Sequence, residues 1–310
     1  MNTGVEKYKG LWPVMLTPFH RDGSVDYEAL DQLTDFYLSK GATGLFAICL
    51  SSEMNELTES ERISIVKNVV TRVNGRVPVA ASVTFGGKPK KQAEFAKKIT
   101  ATGADVGVLI TGQLTLATGG DAEFLENVLE FTNLLPGMKL GLYECPVPYK
   151  RIIPVSVLKP VSDTGRFYYL KDTTCDTRMI AEKINTLSGT SLSLFNANTP
   201  TALESLRTGA DGLSPISANF YPEFYSWMIK NFNKKDKRDT VEYLNDQLTL
   251  MDAVTRINYP MSAKFFLARR GLPIECTIRT AGRSLNYEEI KIMDKLFDNF
   301  VKIAGDFLVY

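Results

Sequence analysis

Short apolar runs alternate with amphipathic stretches along most of this chain. The runs are five to nine residues long and rich in Val, Ile, Leu and Phe, which is typical of strands buried on both faces of a parallel sheet. The stretches between them repeat apolar residues at helical spacing. The pattern predicts eight strands, each followed by a helix: strands at residues 11–19, 44–50, 78–83, 105–111, 139–145, 166–173, 192–196 and 212–217, and helices at 26–40, 58–73, 89–102, 121–134, 155–163, 177–187, 200–208 and 222–231.

Eight consecutive strand–helix units favour an α/β fold of the closed (β/α)8 TIM barrel type over an open doubly wound sheet. No G-x-G-x-x-G sequence follows the first strand, which argues against a dinucleotide-binding domain. Three further helices are predicted at 239–256, 262–269 and 287–307, with no strand left for them to cover. We therefore predict a barrel at residues 1–233 and a C-terminal three-helix extension at 234–310, packed on the barrel's flank or forming a subunit contact.

The composition narrows the class of protein. The 310 residues are 44% hydrophobic and 23% charged with a formal net charge of +1, which is typical of a soluble globular enzyme. A nucleic-acid-binding surface would require clustered excess Lys and Arg. No apolar stretch approaches the length of a membrane span, and the N-terminus lacks a secretory apolar segment. We expect a cytoplasmic protein that binds neither nucleic acid nor membrane, with its four cysteines as free thiols.

The chain contains one histidine, His20. A Ser-His-Asp triad, a Cys-His pair or a multi-histidine metal site is therefore nearly excluded. Acid–base chemistry must come from Tyr, Lys, Asp or Glu side chains.

Lys171 interrupts the strand-like run at residues 167–174. Burial disfavours an ammonium group and lowers its pKa, and a lysine that is neutral near pH 7 attacks carbonyl carbon to form Schiff bases. The alternative is a lysine at a strand end that reaches water or pairs with an acid.

The active site of a TIM barrel lies at the carboxyl ends of its strands. Five polar residues fall at these ends in the predicted barrel: Tyr143 and Lys171 on adjacent strands, Ser51 and Ser52 after the second strand, and Ser214 on the eighth. We predict Lys171 as the nucleophile towards a 2-oxo acid, Tyr143 as its proton donor and acceptor, and the serines as substrate-binding positions. The alternatives are an aromatic core position for Tyr143 and ordinary loop chemistry for Ser51 and Ser52.

At these residues the chain resembles the dihydrodipicolinate synthase / N-acetylneuraminate lyase superfamily of class I aldolases. The resemblance extends over nearly the whole chain. Five segments carry it, in order along the sequence: Leu16-Thr17-Pro18-Phe19, Glu53-x-x-x-Leu57-Thr58-x-x-Glu61-Arg62, Tyr143-Glu144-Cys145-Pro146, Leu170-Lys171-Asp172, and Ala210-Asp211-Gly212-Leu213 through Ala218-Asn219.

The resemblance implies that Lys171 forms a Schiff base with pyruvate or a pyruvyl group and that Tyr143 shuttles protons. It also implies that no metal or organic cofactor takes part. The protein is expected to be a homo-oligomer, a tetramer or a dimer.

The chain departs from the family pattern where the second substrate would bind. Leu50 and Leu114 stand where the synthases have proton-relay hydroxyls, and Pro148 stands where they have an arginine. Tyr149, Lys150 or Arg151 is a candidate to replace that arginine. Asn198 and Thr199 stand where the sugar-acid lyases have acidic residues. On the eighth strand Ser214 replaces an isoleucine, so it is expected to act through its backbone.

These departures favour a carbon–carbon or carbon–oxygen lyase that acts on another 2-oxo acid, such as a sugar-derived one, by aldol cleavage or condensation. One alternative is 4-hydroxy-tetrahydrodipicolinate synthase activity. An alternative of another class is a non-catalytic sensor that binds a 2-oxo acid.

Overall fold

Eight parallel strands form one sheet in the computed structural model, which describes residues 8–280, 282 and 284–307. Each strand pairs with its neighbours in chain order, and the first pairs with the eighth. Backbone hydrogen bonds from Met15 N to Phe46 O and from Phe46 N to Pro13 O, both 3.0 Å, join the chain after the first strand to the second and close the barrel. The strands are β1 Gly10–Leu11, β2 Leu45–Phe46, β3 Val79–Ser82, β4 Val106–Ile110, β5 Leu140–Tyr143, β6 Phe167–Asp172, β7 Ser193–Asn196 and β8 Gly212–Leu213.

A helix follows every strand, so the predicted (β/α)8 TIM barrel is confirmed. The helices around the barrel are α1 Tyr27–Ser39, α2 Glu59–Val73, α3 Pro89–Thr100, α4 Asp121–Asn133, α5 Val155–Asp163, α6 Thr177–Thr186, α7 Ala202–Thr208 and α8 Pro222–Asn231. Three more follow them: α9 Arg238–Thr255, α10 Met261–Arg269 and α11 Tyr287–Phe307. No helix in the part of the chain that the structure describes combines the length and apolar character needed to cross a bilayer.

The first strand is shorter than the predicted 11–19. Only Gly10–Leu11 pairs continuously with β8, while Val14 and Phe19 form isolated bridges. Pro13 and Pro18 explain the difference, because proline has no backbone N–H to donate to a neighbouring strand.

Aromatic side chains fill the inside of the barrel. Trp12 stacks on Tyr169 with ring centroids 4.9 Å apart, and Phe195 lies 4.9 Å from the same tyrosine. Gly212 makes room for this layer, since a Cβ there would lie 2.5 Å from the Phe195 ring. Phe46 lies 5.8 Å from the ring of Tyr143. These rings therefore form one aromatic layer inside the barrel.

The three C-terminal helices pack on the barrel next to α8. Phe266 of α10 lies 5.2 Å from Phe220, and Phe300 of α11 lies 5.4 Å from Phe224 of α8, both measured between ring centroids. The segment is also fastened to the loop after β2. Lys264 Nζ donates to Glu53 Oε1 at 2.8 Å, and both side chains are completely buried. A division of the chain into domains at residue 233 stays a prediction.

Candidate active site

A cavity of about 640 Å³ lies at the carboxyl ends of the strands. We call it the mouth cavity. Its lining residues come from the loops after β2, β5, β6, β7 and β8 and from the C-terminal segment: Leu50, Ser51, Glu53, Met54, Asn55, Glu56, Tyr143, Pro146, Val147, Lys150, Lys171, Thr173, Cys175, Ala197, Asn198, Ile216, Arg256, Tyr259, Pro260 and Thr280.

Lys171 and Tyr143 face each other across two adjacent strands. They are register partners in the β5–β6 pair, and Lys171 Nζ lies 4.7 Å from the centroid of the Tyr143 ring. Lys171 is 3% exposed and Tyr143 is 4% exposed. Tyr143 belongs to the inner aromatic layer and also lines the mouth cavity. Its place in the core is therefore compatible with the predicted role as a proton donor and acceptor.

Burial lowers the pKa of Lys171 to about 8, and the nearby thiols of Cys49 and Cys145 act in the opposite direction. Within the described residues, no carboxylate is among the groups that act on this amine. The change from the usual value of 10.5 corresponds to about 3 kcal/mol against the ammonium form. The contact with the Tyr143 ring favours the ammonium by roughly 0.5–2 kcal/mol, which is the smaller effect. About one amine in ten is then neutral at pH 7.

Burial also raises the pKa of the Tyr143 phenol well above its usual value, and the neighbouring Cys145 and Cys49 add to this effect. Tyr143 is therefore protonated across the physiological range. It can donate a proton to an oxygen that develops negative charge at its end of the mouth cavity.

The three predicted serines differ in position. Ser51 is buried and lines the mouth cavity. Ser52 faces into its own turn, where its hydroxyl donates to Ala47 O at 3.2 Å and accepts from Cys49 N at 2.7 Å. The Ser214 hydroxyl donates to Trp12 O at 2.7 Å and bonds the Tyr169 hydroxyl at 3.0 Å. Neither Ser52 nor Ser214 lines the mouth cavity.

Of the three candidates to replace the missing arginine, only Lys150 lines the mouth cavity. The Tyr149 hydroxyl donates to Thr115 O at 2.7 Å. Arg151 is nearly buried and pairs with Asp121 at 2.8 Å. Lys150 is therefore the one of these three candidates that can reach a ligand in the mouth cavity.

Four cavity residues that the sequence did not single out come from the C-terminal segment: Arg256, Tyr259, Pro260 and Thr280. Glu53 holds part of this segment at the mouth, because its Oε2 accepts hydrogen bonds from Arg279 N at 2.6 Å and Thr280 N at 2.7 Å. Helical periodicity predicts the helices on either side of Tyr259 but carries no signal for a connecting residue that reaches the barrel.

Glu144, Asp172 and Lys183 form a buried ionic cluster next to Tyr143 and Lys171. We call it the acid–lysine cluster. Lys183 Nζ donates to Glu144 Oε1 at 2.5 Å and to Asp172 Oδ2 at 2.6 Å, and all three side chains are essentially inaccessible to solvent. Glu144 follows Tyr143 on the chain and Asp172 follows Lys171. The acid–lysine cluster thus joins the ends of β5 and β6 where the two reactive side chains emerge.

Burial lowers the pKa of Lys183, but the charges of Glu144 and Asp172 outweigh it, so the pKa is raised overall. Burial and then the charge of Asp172 raise the pKa of Glu144. Lys183 therefore stays charged within the acid–lysine cluster, in contrast to Lys171.

Comparison with known proteins identifies the family of this chain. The model of the dihydrodipicolinate synthetase family matches residues 7–298. The probable 2-dehydro-3-deoxy-D-pentonate aldolase YjhH of Escherichia coli K12 is 27% identical over 87% of this chain and 90% of its own. The 4-hydroxy-tetrahydrodipicolinate synthase of Oceanobacillus iheyensis is 26% identical over 94% of this chain and 95% of its own.

A solved structure shares the fold. YagE, a prophage protein of E. coli K12 that was crystallised with pyruvate, superposes with a TM-score of 0.83 at 19% identity, covering 96% of this chain and 98% of its own. The family match spans both strands that carry Tyr143 and Lys171 and reaches into α11. The chain therefore belongs to the dihydrodipicolinate synthetase family and is a lyase of that family.

Proposed function

We propose that this lyase acts through a Schiff base between Lys171 and the carbonyl carbon of pyruvate or another 2-oxo acid. The observation that carries the proposal is the buried amine of Lys171, which has no carboxylate partner in the part of the chain that the structure describes and lies 4.7 Å from the Tyr143 ring. A depressed pKa of this kind is what makes a lysine nucleophilic near neutral pH.

The reaction follows from these two groups. The neutral amine attacks the carbonyl carbon, the former carbonyl oxygen gains protons and leaves as water, and the nitrogen keeps the carbon as a protonated imine. Loss of a proton from the adjacent carbon gives an enamine, which adds to an aldehyde in the condensation direction. Cleavage is the reverse sequence. Tyr143 donates a proton to the departing oxygen, and the phenolate that remains takes the proton from the adjacent carbon, so the phenol is restored.

We propose a sugar-derived 2-oxo acid as the substrate, with aldol cleavage or condensation as the reaction. The lining of the mouth cavity includes Asn198 and Lys150, which suit hydroxyl and carboxylate groups. A relative named as a probable pentonate aldolase supports this choice. 4-Hydroxy-tetrahydrodipicolinate synthase activity is less favoured, since Pro148 occupies the arginine position and Arg151 is paired with Asp121.

Borohydride trapping tests the proposal. Reduction in the presence of pyruvate should add a pyruvate-derived mass to the peptide that contains Lys171, because borohydride reduces the imine to a stable amine. Lys171→Ala should abolish both the added mass and turnover. Lys159→Ala is the matched control, since Lys159 is an exposed helix lysine paired with Asp163. An unlabelled Lys171 peptide with pyruvate and a panel of 2-oxo acids would refute the Schiff base.

Turnover assays then identify the second substrate. We expect pyruvate release from 2-oxo-3-deoxy sugar acids, measured by a coupled dehydrogenase. Turnover confined to aspartate semialdehyde plus pyruvate would favour the synthase instead.

A further inference from the structure

A second phenol, Tyr259, lines the mouth cavity beside Ser51. It lies in the connection between α9 and α10 and is partly exposed, which is consistent with a place in the cavity wall. The Schiff-base steps above do not use it.

The side chain of Asn219 fixes the direction of the hydrogen bonds that reach Tyr259. Asn219 Nδ2 donates to Val14 O at 2.9 Å, and a backbone carbonyl can only accept. The amide orientation is therefore determined. The same Nδ2 donates its other hydrogen to Tyr259 Oη at 2.6 Å, and Oδ1 accepts from the buried Tyr37 hydroxyl at 2.5 Å.

With this arrangement the Tyr259 hydroxyl can donate its hydrogen bond to a group in the mouth cavity. Its oxygen accepts a hydrogen from Asn219 Nδ2, so Asn219 meets the phenol with a donor and not with its acceptor oxygen. The neighbouring hydroxyl is that of Ser51, which is close enough to lower the phenol's pKa by hydrogen bonding while burial, the larger effect, raises it. The phenol therefore stays protonated and acts as a donor rather than a base.

We propose that Tyr259 and Ser51 form a hydroxyl pair that donates hydrogen bonds to the carboxylate of the 2-oxo acid held by Lys171, and that Asn219 and Tyr37 are positioning residues for this pair. Donors that all point from Tyr37 through Asn219 and Tyr259 towards the cavity polarise one another and favour an anionic oxygen at the end of the chain. The inference rests on the proposed function and deepens it, because it names a determinant of selectivity for an acid over an uncharged ketone.

The test compares two carbonyl compounds of similar shape, pyruvate and its uncharged amide, pyruvamide. The concentration that gives half-maximal borohydride trapping is measured for each with the wild-type protein and with Tyr259→Phe. We expect a roughly 3- to 10-fold increase for pyruvate, the effect of losing about one hydrogen bond, and a change within about twofold for pyruvamide.

Tyr225→Phe is the matched control. Tyr225 is also a buried phenol, with hydrogen bonds to Thr199 at 2.9 Å and Ser217 at 2.6 Å, but it does not line the mouth cavity. Its loss should leave the ratio of the two half-maximal concentrations unchanged. If Tyr259→Phe does not fold, Tyr37→Phe gives the same comparison from the far end of the chain, with a smaller expected shift in the same direction.

The outcomes separate this inference from the proposed function. Wild-type protein that traps neither compound refutes both. Wild-type trapping with an unchanged pyruvate-to-pyruvamide ratio in Tyr259→Phe, or in Tyr37→Phe where that variant is used, overturns the hydroxyl pair and leaves the Schiff base standing. A parallel loss for both compounds also overturns it, because a purely structural role weakens both.

Discussion

The chemistry of this protein depends on how differently burial acts on two of its lysines. Lys171 has no carboxylate partner among residues 8–280, 282 and 284–307, and burial lowers its pKa to about 8. Lys183 is buried as deeply, but two carboxylates within hydrogen-bonding distance keep its pKa raised. The same side chain is thus a nucleophile in one position and a permanent cation in the other, and the difference lies in the partners.

The rate of imine formation should therefore depend on pH. Because only the neutral amine attacks, the rate with pyruvate is expected to rise about tenfold per pH unit well below 8 and to level off above it. The raised pKa of Tyr143 keeps that phenol protonated through this range. Stopped-flow measurement of imine formation from about pH 6 to 9 tests this, and a rate that still rises about tenfold per unit up to pH 9, as an amine with the usual value of 10.5 would show, would contradict it.

At the scale of elements, the ends of β5 and β6 are joined by the acid–lysine cluster. Glu144 also accepts hydrogen bonds from Ile153 N and Thr173 N, both at 2.8 Å, so one carboxylate connects the loops after both strands. An ion pair this deeply buried recovers its desolvation cost only through such a complete set of partners. The cluster therefore fixes the place where Tyr143 and Lys171 leave the sheet.

Removal of the cluster's cation should be costly. Lys183→Met leaves two carboxylates buried without their partner, and we expect the free energy of unfolding to fall by roughly 3–5 kcal/mol. The control is Lys159→Met, which breaks an exposed pair with Asp163 and should cost less than about 1 kcal/mol. Urea denaturation of both variants measures the difference. Equal stabilities would show that the cluster contributes no more than a surface pair.

At the scale of the whole molecule, the C-terminal segment takes part in the mouth of the barrel. Glu53 holds it through Lys264 and through the backbone at residues 279–280, while Tyr259 and Arg256 face the mouth cavity. Residues about 200 positions apart in sequence therefore form one wall. Two roles were predicted for the C-terminal extension. Its aromatic contacts show that it packs on the flank of the barrel, and a role in a subunit contact stays a prediction.

Light scattering should show a homo-oligomer, with a mass of two or four chains, as the family resemblance implies. Multi-angle detection behind a sizing column measures the mass directly. A single-chain mass at micromolar concentration would refute the expectation.

The sequence by itself determined the barrel and the meeting of its strand ends. Strand and helix periods are local properties, and the carboxyl ends of parallel barrel strands must converge, so Lys171, Tyr143 and Ser51 could be placed at one cavity without coordinates. Their chemical roles stay predictions.

Only the tertiary structure decided which way the side chains around them face. Ser52 and Ser214 follow the same strand-end pattern as Ser51, yet their hydroxyls bond to nearby backbone atoms, because irregular turns do not preserve the alternation of a strand. Lys183 and Tyr259 meet their partners across long sequence separations, through packing that no local pattern encodes. Periodicity fixes where a segment runs, whereas contacts between distant segments fix what each side chain can do.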